Sequence, residues 1–295
     1  MGSSVTCERS CKTCQSEYCE SNTIPLDEAK NIVSLARDQP GNQLETYMLP
    51  LKRGESPPTA EEMLKARDKV KLAGGAAYEG QWLGDEKHGE GKLQLEDGSW
   101  YKGQFVNDKK HGDGTYMYPD GSQCSGQWQD DAMHGEGTEA WDDGSSFKGR
   151  FQKGEKMGPG RFEWSNKCVY EGQFHANDMH GEGTYTWSDG RHYTGQWSKN
   201  LMGPAGTMRW PDGKHYDGSF VEGRKHGVGK LQWPDGRSYF GQWQDGKQHG
   251  VGVARIGNGS ECKSRWNQGK FVEWLDAKGP NRQKAPDALQ PIASE

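Results

Sequence analysis

Aliphatic residues are scarce in this chain. Only 31% of its 295 residues are hydrophobic, too few for a compact core of that length. No apolar run approaches a membrane span. The first residues hold no apolar stretch of the signal-peptide kind, so secretion is not expected. The sequon Asn258-Gly259-Ser260 is then read as unused. Basic excess is missing too. The net charge is -5 with no long run of one sign, which argues against a nucleic-acid partner. There are seven cysteines, four of them at Cys7, Cys11, Cys14 and Cys19, with Cys124, Cys168 and Cys262 scattered further on. They read as cytosolic, reduced thiols. No nucleophile elbow, phosphate loop or Cys–His arrangement occurs, so neither an enzyme nor a cofactor is expected.

Glycine and tryptophan are plentiful instead: 43 Gly and 12 Trp, with every Trp between Trp82 and Trp274. They recur at a fixed step. The stretch Tyr78–Gly98 reads Y-E-G-Q-W-L-G-D-E-K-H-G-E-G-K-L-Q-L-E-D-G and returns every 23 residues without insertion. A short fixed period decides architecture before any local reading.

The leading position holds Tyr78, Tyr101, Cys124, Phe147, Tyr170, Tyr193, Tyr216, Tyr239 and Cys262. Two residues on stands a Gly, replaced by Ser264 in the last copy. Four residues on stands Trp82, Phe105, Trp128, Phe151, Phe174, Trp197, Phe220, Trp243 or Trp266. That spacing is strand periodicity, so the two aromatics and the Gly share one face. The Gly leaves room for a ring to lie over the backbone. A turn follows, then His-Gly-x-Gly, and then a second strand with pairs such as Tyr116 and Tyr118 or Tyr185 and Trp187. Asp-Gly closes the unit at Asp97-Gly98 and its counterparts. It is a strong hairpin signal, read here as a type I′ turn.

The predicted fold is mainly β: an elongated single-layer antiparallel meander of hairpins with a short helical N-terminal region. At about 4.8 Å per strand, eight hairpins would span on the order of 75 Å. The expected layout is a leader over 1–22, short helices and a linker over 23–77, the array over 78–274, and a structureless tail over 275–295. In the second segment, Thr59 and Glu62 form a capping box ahead of a Met63, Ala66, Val70 and Ala73 stripe that ends at Gly74-Gly75. This predicts a helix that caps the array. Phe271, Trp274 and Leu275 are expected to cap its far end.

Six histidines share one register: His88, His111, His134, His180, His226 and His249. Copies two strands apart are about 9.6 Å apart, too far to share one ion, so they read as turn residues. Four thiols within Cys7–Cys19 likewise suit a zinc site poorly, because such sites pair close thiols across a longer loop. Lys87, Lys110, Lys156 and Lys225 precede that histidine row or its counterpart. They would either meet anionic phospholipid headgroups or sit in solvated turns.

The chain begins Met1-Gly2-Ser3-Ser4-Val5-Thr6, the pattern for myristoylation of Gly2. One such chain holds a membrane only marginally, so a second anchor is needed. Cys7 and Cys11 are the thiols placed to accept palmitate.

The phrase Y-x-G-x-W…H-G-x-G…D-G, in register over residues 78–261 with a degraded copy to about 274, resembles the MORN (membrane occupation and recognition nexus) repeat. Three kinds of departure occur: Met157-Gly158-Pro159-Gly160 and Gly203-Pro204-Ala205-Gly206 lack the His, Asn166-Lys167 replaces Asp-Gly, and Cys124 and Cys262 replace the leading aromatic. The resemblance implies a non-enzymatic scaffold. Tethered by acylation of Gly2 and the adjacent thiols, it would lie on the cytoplasmic face of a membrane and bind partner proteins along its aromatic face, and the resemblance adds contact with phospholipid. It equally admits a ciliary, axonemal component similar to radial-spoke heads, or the regulatory subunit of a lipid kinase. Exposed sheet edges would allow a homodimer through the array.

Overall fold

A computed structural model describes residues 63–276. They form one open, 19-stranded antiparallel sheet. Each strand pairs with the next in sequence, from β1 (Lys65–Lys71) through β2 (Ala77–Leu83) and β3 (Glu86–Gln94) to β18 (Glu261–Asn267) and β19 (Lys270–Trp274). From residue 77 to 255, every repeat contributes a seven-residue strand and then a nine-residue strand. The mismatch is absorbed by a bulge. In the first hairpin Gly80 pairs with Gly91 but Trp82 pairs with Lys87. Gly89 carries that bulge at φ 68°. Its lack of a Cβ matters, because one would overlap the Gln81 amide, which accepts a 2.7 Å bond from the Glu90 N–H. This accounts for the first glycine of His-Gly-x-Gly.

The two kinds of turn differ from the expectation. Type I′ geometry, with positive φ at both central residues, occurs inside the hairpins, as at Asn107 (49°) and Asp108 (69°) or Ala176 (48°) and Asn177 (70°). The Asp-Gly turns between hairpins are not type I′. Gly98 takes φ 92° and its N–H bonds to Leu95 O, while Leu95 N–H bonds to Ser99 O. That is a three-residue loop with a left-handed glycine. Asp97 fixes it by accepting the Ser99 N–H at 2.9 Å and the Ser99 hydroxyl at 2.6 Å.

The capping helix expected over Met63–Ala73 is corrected as well. Residues 65–71 are β1, with Lys65 opposite Trp82 and Val70 opposite Tyr78. The free edge of β2 offers a row of unpaired backbone groups, and satisfying them outweighs a weak helical stripe. Exposed lysines at 65, 69 and 71 then blunt the new outer edge, and the Arg67 guanidinium sits 4.8 Å from the Trp82 ring. Thr59, Glu62 and the earlier helix and linker lie outside the described residues. At the far end Trp266, Phe271 and Trp274 close the aromatic row with centroid steps of 5.6 and 4.9 Å. Trp274 is buried, whereas Leu275 is exposed.

Candidate functional site: two aromatic rows on one face

The aromatics of positions one and five form a continuous zipper. Tyr78 meets Trp82 of its own repeat and Phe105 of the next, both edge-to-face at 5.1 Å. The pattern repeats through Tyr101 and Phe105, Tyr170 and Phe174, Tyr193 and Trp197, Tyr216 and Phe220, and Tyr239 and Trp243. Edge-to-face pairs suit the ring quadrupole and contribute about 0.5–1.5 kcal/mol each beyond burial. Each tyrosine ring lies across the glycine of the adjacent strand, where a Cβ at Gly91 would overlap the Tyr78 ring. Its hydroxyl donates to a backbone carbonyl, Gln81 O for Tyr78 at 3.0 Å. Burial pushes the Tyr78 phenol up to about 12. All these rings are 0–5% exposed. They hold the sheet together, and no partner can reach them.

The lysine row turns inward onto this zipper. Lys110 Nζ stands 4.8 Å from the Tyr116 ring and 5.1 Å from Trp128. Lys156 is 5% exposed, lies 5.2 Å from Trp141 and 5.1 Å from Phe147, and is ion-paired with Glu139 at 2.5 Å. Lys225 approaches Trp243 at 4.6 Å and Tyr216 and Trp210 at 5.7 Å. Burial, with Lys214 nearby, pulls its ammonium down to about 8. Lys87 bonds Asp108 at 2.6 Å. In other repeats Met133, Met179 and Met202 fill the position.

A second row sits just past the end of six of the eight nine-residue strands: Tyr118, Trp141, Trp164, Trp187, Trp210 and Trp233. These rings are half-buried. Between them lie Phe162, Tyr185, Met208 and Leu231, the last three buried. Trp141 stacks on Phe162 at 5.2 Å, Phe162 meets Trp164 at 4.5 Å, and Trp164 meets Tyr185 at 5.2 Å. The indole N–H of Trp128, Trp197 and Trp243 in the zipper each donate to a backbone carbonyl at 3.0 to 3.1 Å. The indole N–H groups of the second row have no partner among the described residues. In the sequence Trp164, Trp187 and Trp210 mark strand periodicity, and nothing local sets them apart as a reachable row. Their return at the 23-residue step, just before the turn, was the available signal.

Cys124 departs from the zipper with a physical compensation. It is too short to cover Gly137, and the Met133 methyl takes that place instead. Burial and the neighbouring Glu139 push the Cys124 thiol up to about 12. His88 Nδ1 faces the Asn107 N–H at 3.5 Å, and His226 lies 4.0 Å from Asp245. Among the described residues no group of three His, Cys, Asp or Glu side chains is placed to hold a metal ion. No helix there is long and apolar enough to cross a membrane. Gly2, Cys7 and Cys11 lie outside the described residues.

A comparison with curated proteins gives no match. Among solved structures the chain is similar to a point mutant of the TCP10 domain of Danio rerio CPAP, with TM-score 0.41 and 13% identity over 72% of this chain and 100% of that one. It is similar also to the wild-type domain in complex with a peptide of Danio rerio STIL, with TM-score 0.40 and 11% identity over 71% and 98%. At these scores the likeness carries no inference about this chain. The family model for the MORN repeat matches eight times, at residues 78–100, 101–123, 124–146, 147–169, 170–190, 193–215, 216–236 and 239–261. Those matches cover more than half of the sequence, each on one hairpin of the zippered sheet: the chain belongs to the MORN repeat family.

Proposed function

We propose that this protein is a non-enzymatic scaffold that holds partner proteins at the cytoplasmic face of a membrane. The repeats suggest a binding role, and the half-buried second row is the observation that carries the reading. Its rings are reachable, its indole donors are unspent, and a repetitive sheet face suits an extended partner. The lysine row favours a protein partner over phospholipid, since Lys110, Lys156 and Lys225 point at rings. The membrane half of the proposal rests on the Gly2 pattern and on Cys7 and Cys11 as a second acylation point.

Proximity labelling of wild-type and Gly2→Ala forms in cells, followed by fractionation, tests both halves. The wild type is expected in the membrane fraction with peripheral membrane proteins as neighbours, and the variant in the soluble fraction. Equal membrane association of the two forms would sink the lipid anchor. Neighbours that resist detergent extraction with the axoneme would replace the membrane scaffold by a ciliary structural part.

A further inference from the structure

We infer that the row from Tyr118 to Trp233 takes a proline-rich partner segment in the polyproline II conformation, with an acidic side chain seated at Lys225. The inference rests on the scaffold reading and names the chemistry of the partner.

The first argument is period. Successive members of the row are two strands apart, about 9.6 Å by strand spacing. A polyproline II segment turns once in three residues, about 9.3 Å. Over the five steps from Tyr118 to Trp233 the mismatch accumulates to about 1.5 Å, within the play of a side chain. Two turns of α-helix advance about 10.8 Å and drift about 6 Å over the same row. A β-strand returns a side chain to one face every second residue, at about 6.6 or 13 Å, and matches neither. Of the three regular conformations, only polyproline II repeats with the sheet.

The second argument is chemistry. A polyproline II backbone makes no internal hydrogen bonds, so its carbonyls are free acceptors. Indole is a donor only, and the five tryptophans of the row leave that donor unused. Four of the five spaces in the row are floored by Phe162, Tyr185, Met208 and Leu231, an apolar surface of the kind that takes a proline ring, while the first holds Glu139.

The third argument is charge. Cations collect at the Trp210–Trp233 end. Lys214 Nζ lies 4.9 Å from Trp210, Lys225 Nζ lies 5.7 Å from the same ring, and Arg237 lies 5.7 Å from Trp233. Lys214 and Arg237 have their turn aspartates at 3.7 and 2.6 Å, yet one Arg237 nitrogen, Nη1, is buried without a partner. Lys225 has no carboxylate partner among the described residues. The molecule shows what fills such a place: at the same position three repeats earlier, Lys156 is met by Glu139. Before Lys225 the residue corresponding to Glu139 is Met208, so the described sheet leaves that place open to a carboxylate brought to it.

The test is fluorescence anisotropy with the full chain and a labelled peptide of about six polyproline II turns, roughly 18 residues, bearing one Glu about one turn from its end, in register with Trp210 and Lys225. Binding is expected, weakened at least tenfold by Trp187→Ala. A Gln in place of the peptide's Glu should weaken binding several-fold in the wild type and not at all in Lys225→Met. Circular dichroism of each variant separates lost binding from lost folding. Tighter binding of an amphipathic helical peptide of equal length and charge would overturn the inference and leave the scaffold reading standing. Failure of both peptides would overturn it too. The scaffold reading itself falls only if Trp187→Ala also leaves the proximity-labelled neighbours unchanged. Tighter peptide binding after Pro280, Pro286 and Pro291 are changed to Ala would place the chain's own tail on the row and overturn the assignment to a partner.

Discussion

Lys156 and Lys225 occupy one position of the repeat and face the same kind of aromatic box, but their electrostatics are opposite. Lys156 is sealed in with Glu139 at 2.5 Å, both nearly inaccessible. Lys225 meets Tyr216, Trp210 and Trp243 with no counter-charge among the described residues, and Met208 holds the place of Glu139. The repeats around Lys156 also carry the Cys124 and Met133 exchange, which fills the missing tyrosine from within. One region has turned its binding chemistry into internal structure. The other keeps an unmet cation beside a reachable ring. A repeat array can therefore hold one backbone and vary the occupancy of a single position along it, so the copies that differ are where the proposed binding is best tested.

The comparison breaks first at Glu139. Glu139→Ala leaves a buried, unpaired Lys156, and a loss of about 3–5 kcal/mol is expected in urea denaturation. Replacing both residues by Met, the residue other repeats use there, should recover most of that loss, because an apolar pair carries no desolvation penalty. If the double variant is no better than Glu139→Ala, the pair does more than neutralise itself. A smaller effect separates the two ways of covering glycine. Gly229→Ala drives a Cβ into the Tyr216 ring, and Gly137→Ala drives one chiefly into the Met133 methyl. Overpacking against the fixed ring should cost about 1–3 kcal/mol. The flexible thioether can yield, so Gly137→Ala should cost less. Equal costs would mean that the Met133 methyl is as fixed as the tyrosine.

Most of the sheet was legible because each signal is local and repeated. The Tyr-x-Gly-x-Trp spacing names a face, the glycines name the turns, and the step of 23 residues fixes the stacking. What was misread had a non-local cause. Residues 65–71 carry a weak helical stripe, and only the open edge of β2 makes them a strand. The Asp-Gly turn type depended on whether one residue or two takes positive φ, which the dipeptide alone does not state. The site was half legible. The aromatic periodicity pointed to the right face, but burial divides it into a sealed row and a reachable one. That division needs the inward curl that brings Lys225 over Trp210 of the preceding repeat. Likewise the lysines looked like a surface row until their heads were seen over rings.

The finest expected effect is electrostatic. Lys225 has a folded pKa of about 8, below the ordinary lysine value of about 10.4. Below pH 8 both folded and unfolded chains carry the proton, and the burial penalty is present in full. From pH 8 upward the unfolded chain binds more protons than the folded one, so stability rises with pH. Burial raises the zipper tyrosines, Tyr78 to about 12, which gives the opposite slope once unfolded phenols ionise near pH 10. Cys124, pushed up to about 12, adds to that opposite slope once unfolded thiols ionise near pH 8.5, so the readout is the difference between variants, in which the thiol and phenol contributions cancel. From about pH 7.5 to 9.5 the wild-type urea midpoint should rise relative to that of Lys225→Met. Met208→Glu supplies the counter-charge that Lys156 already has. It should raise the Lys225 pKa, flatten the same climb and remove the preference for an acidic peptide. A midpoint that still climbs in Met208→Glu would show that the resemblance between the two boxes is one of sequence position and not of environment.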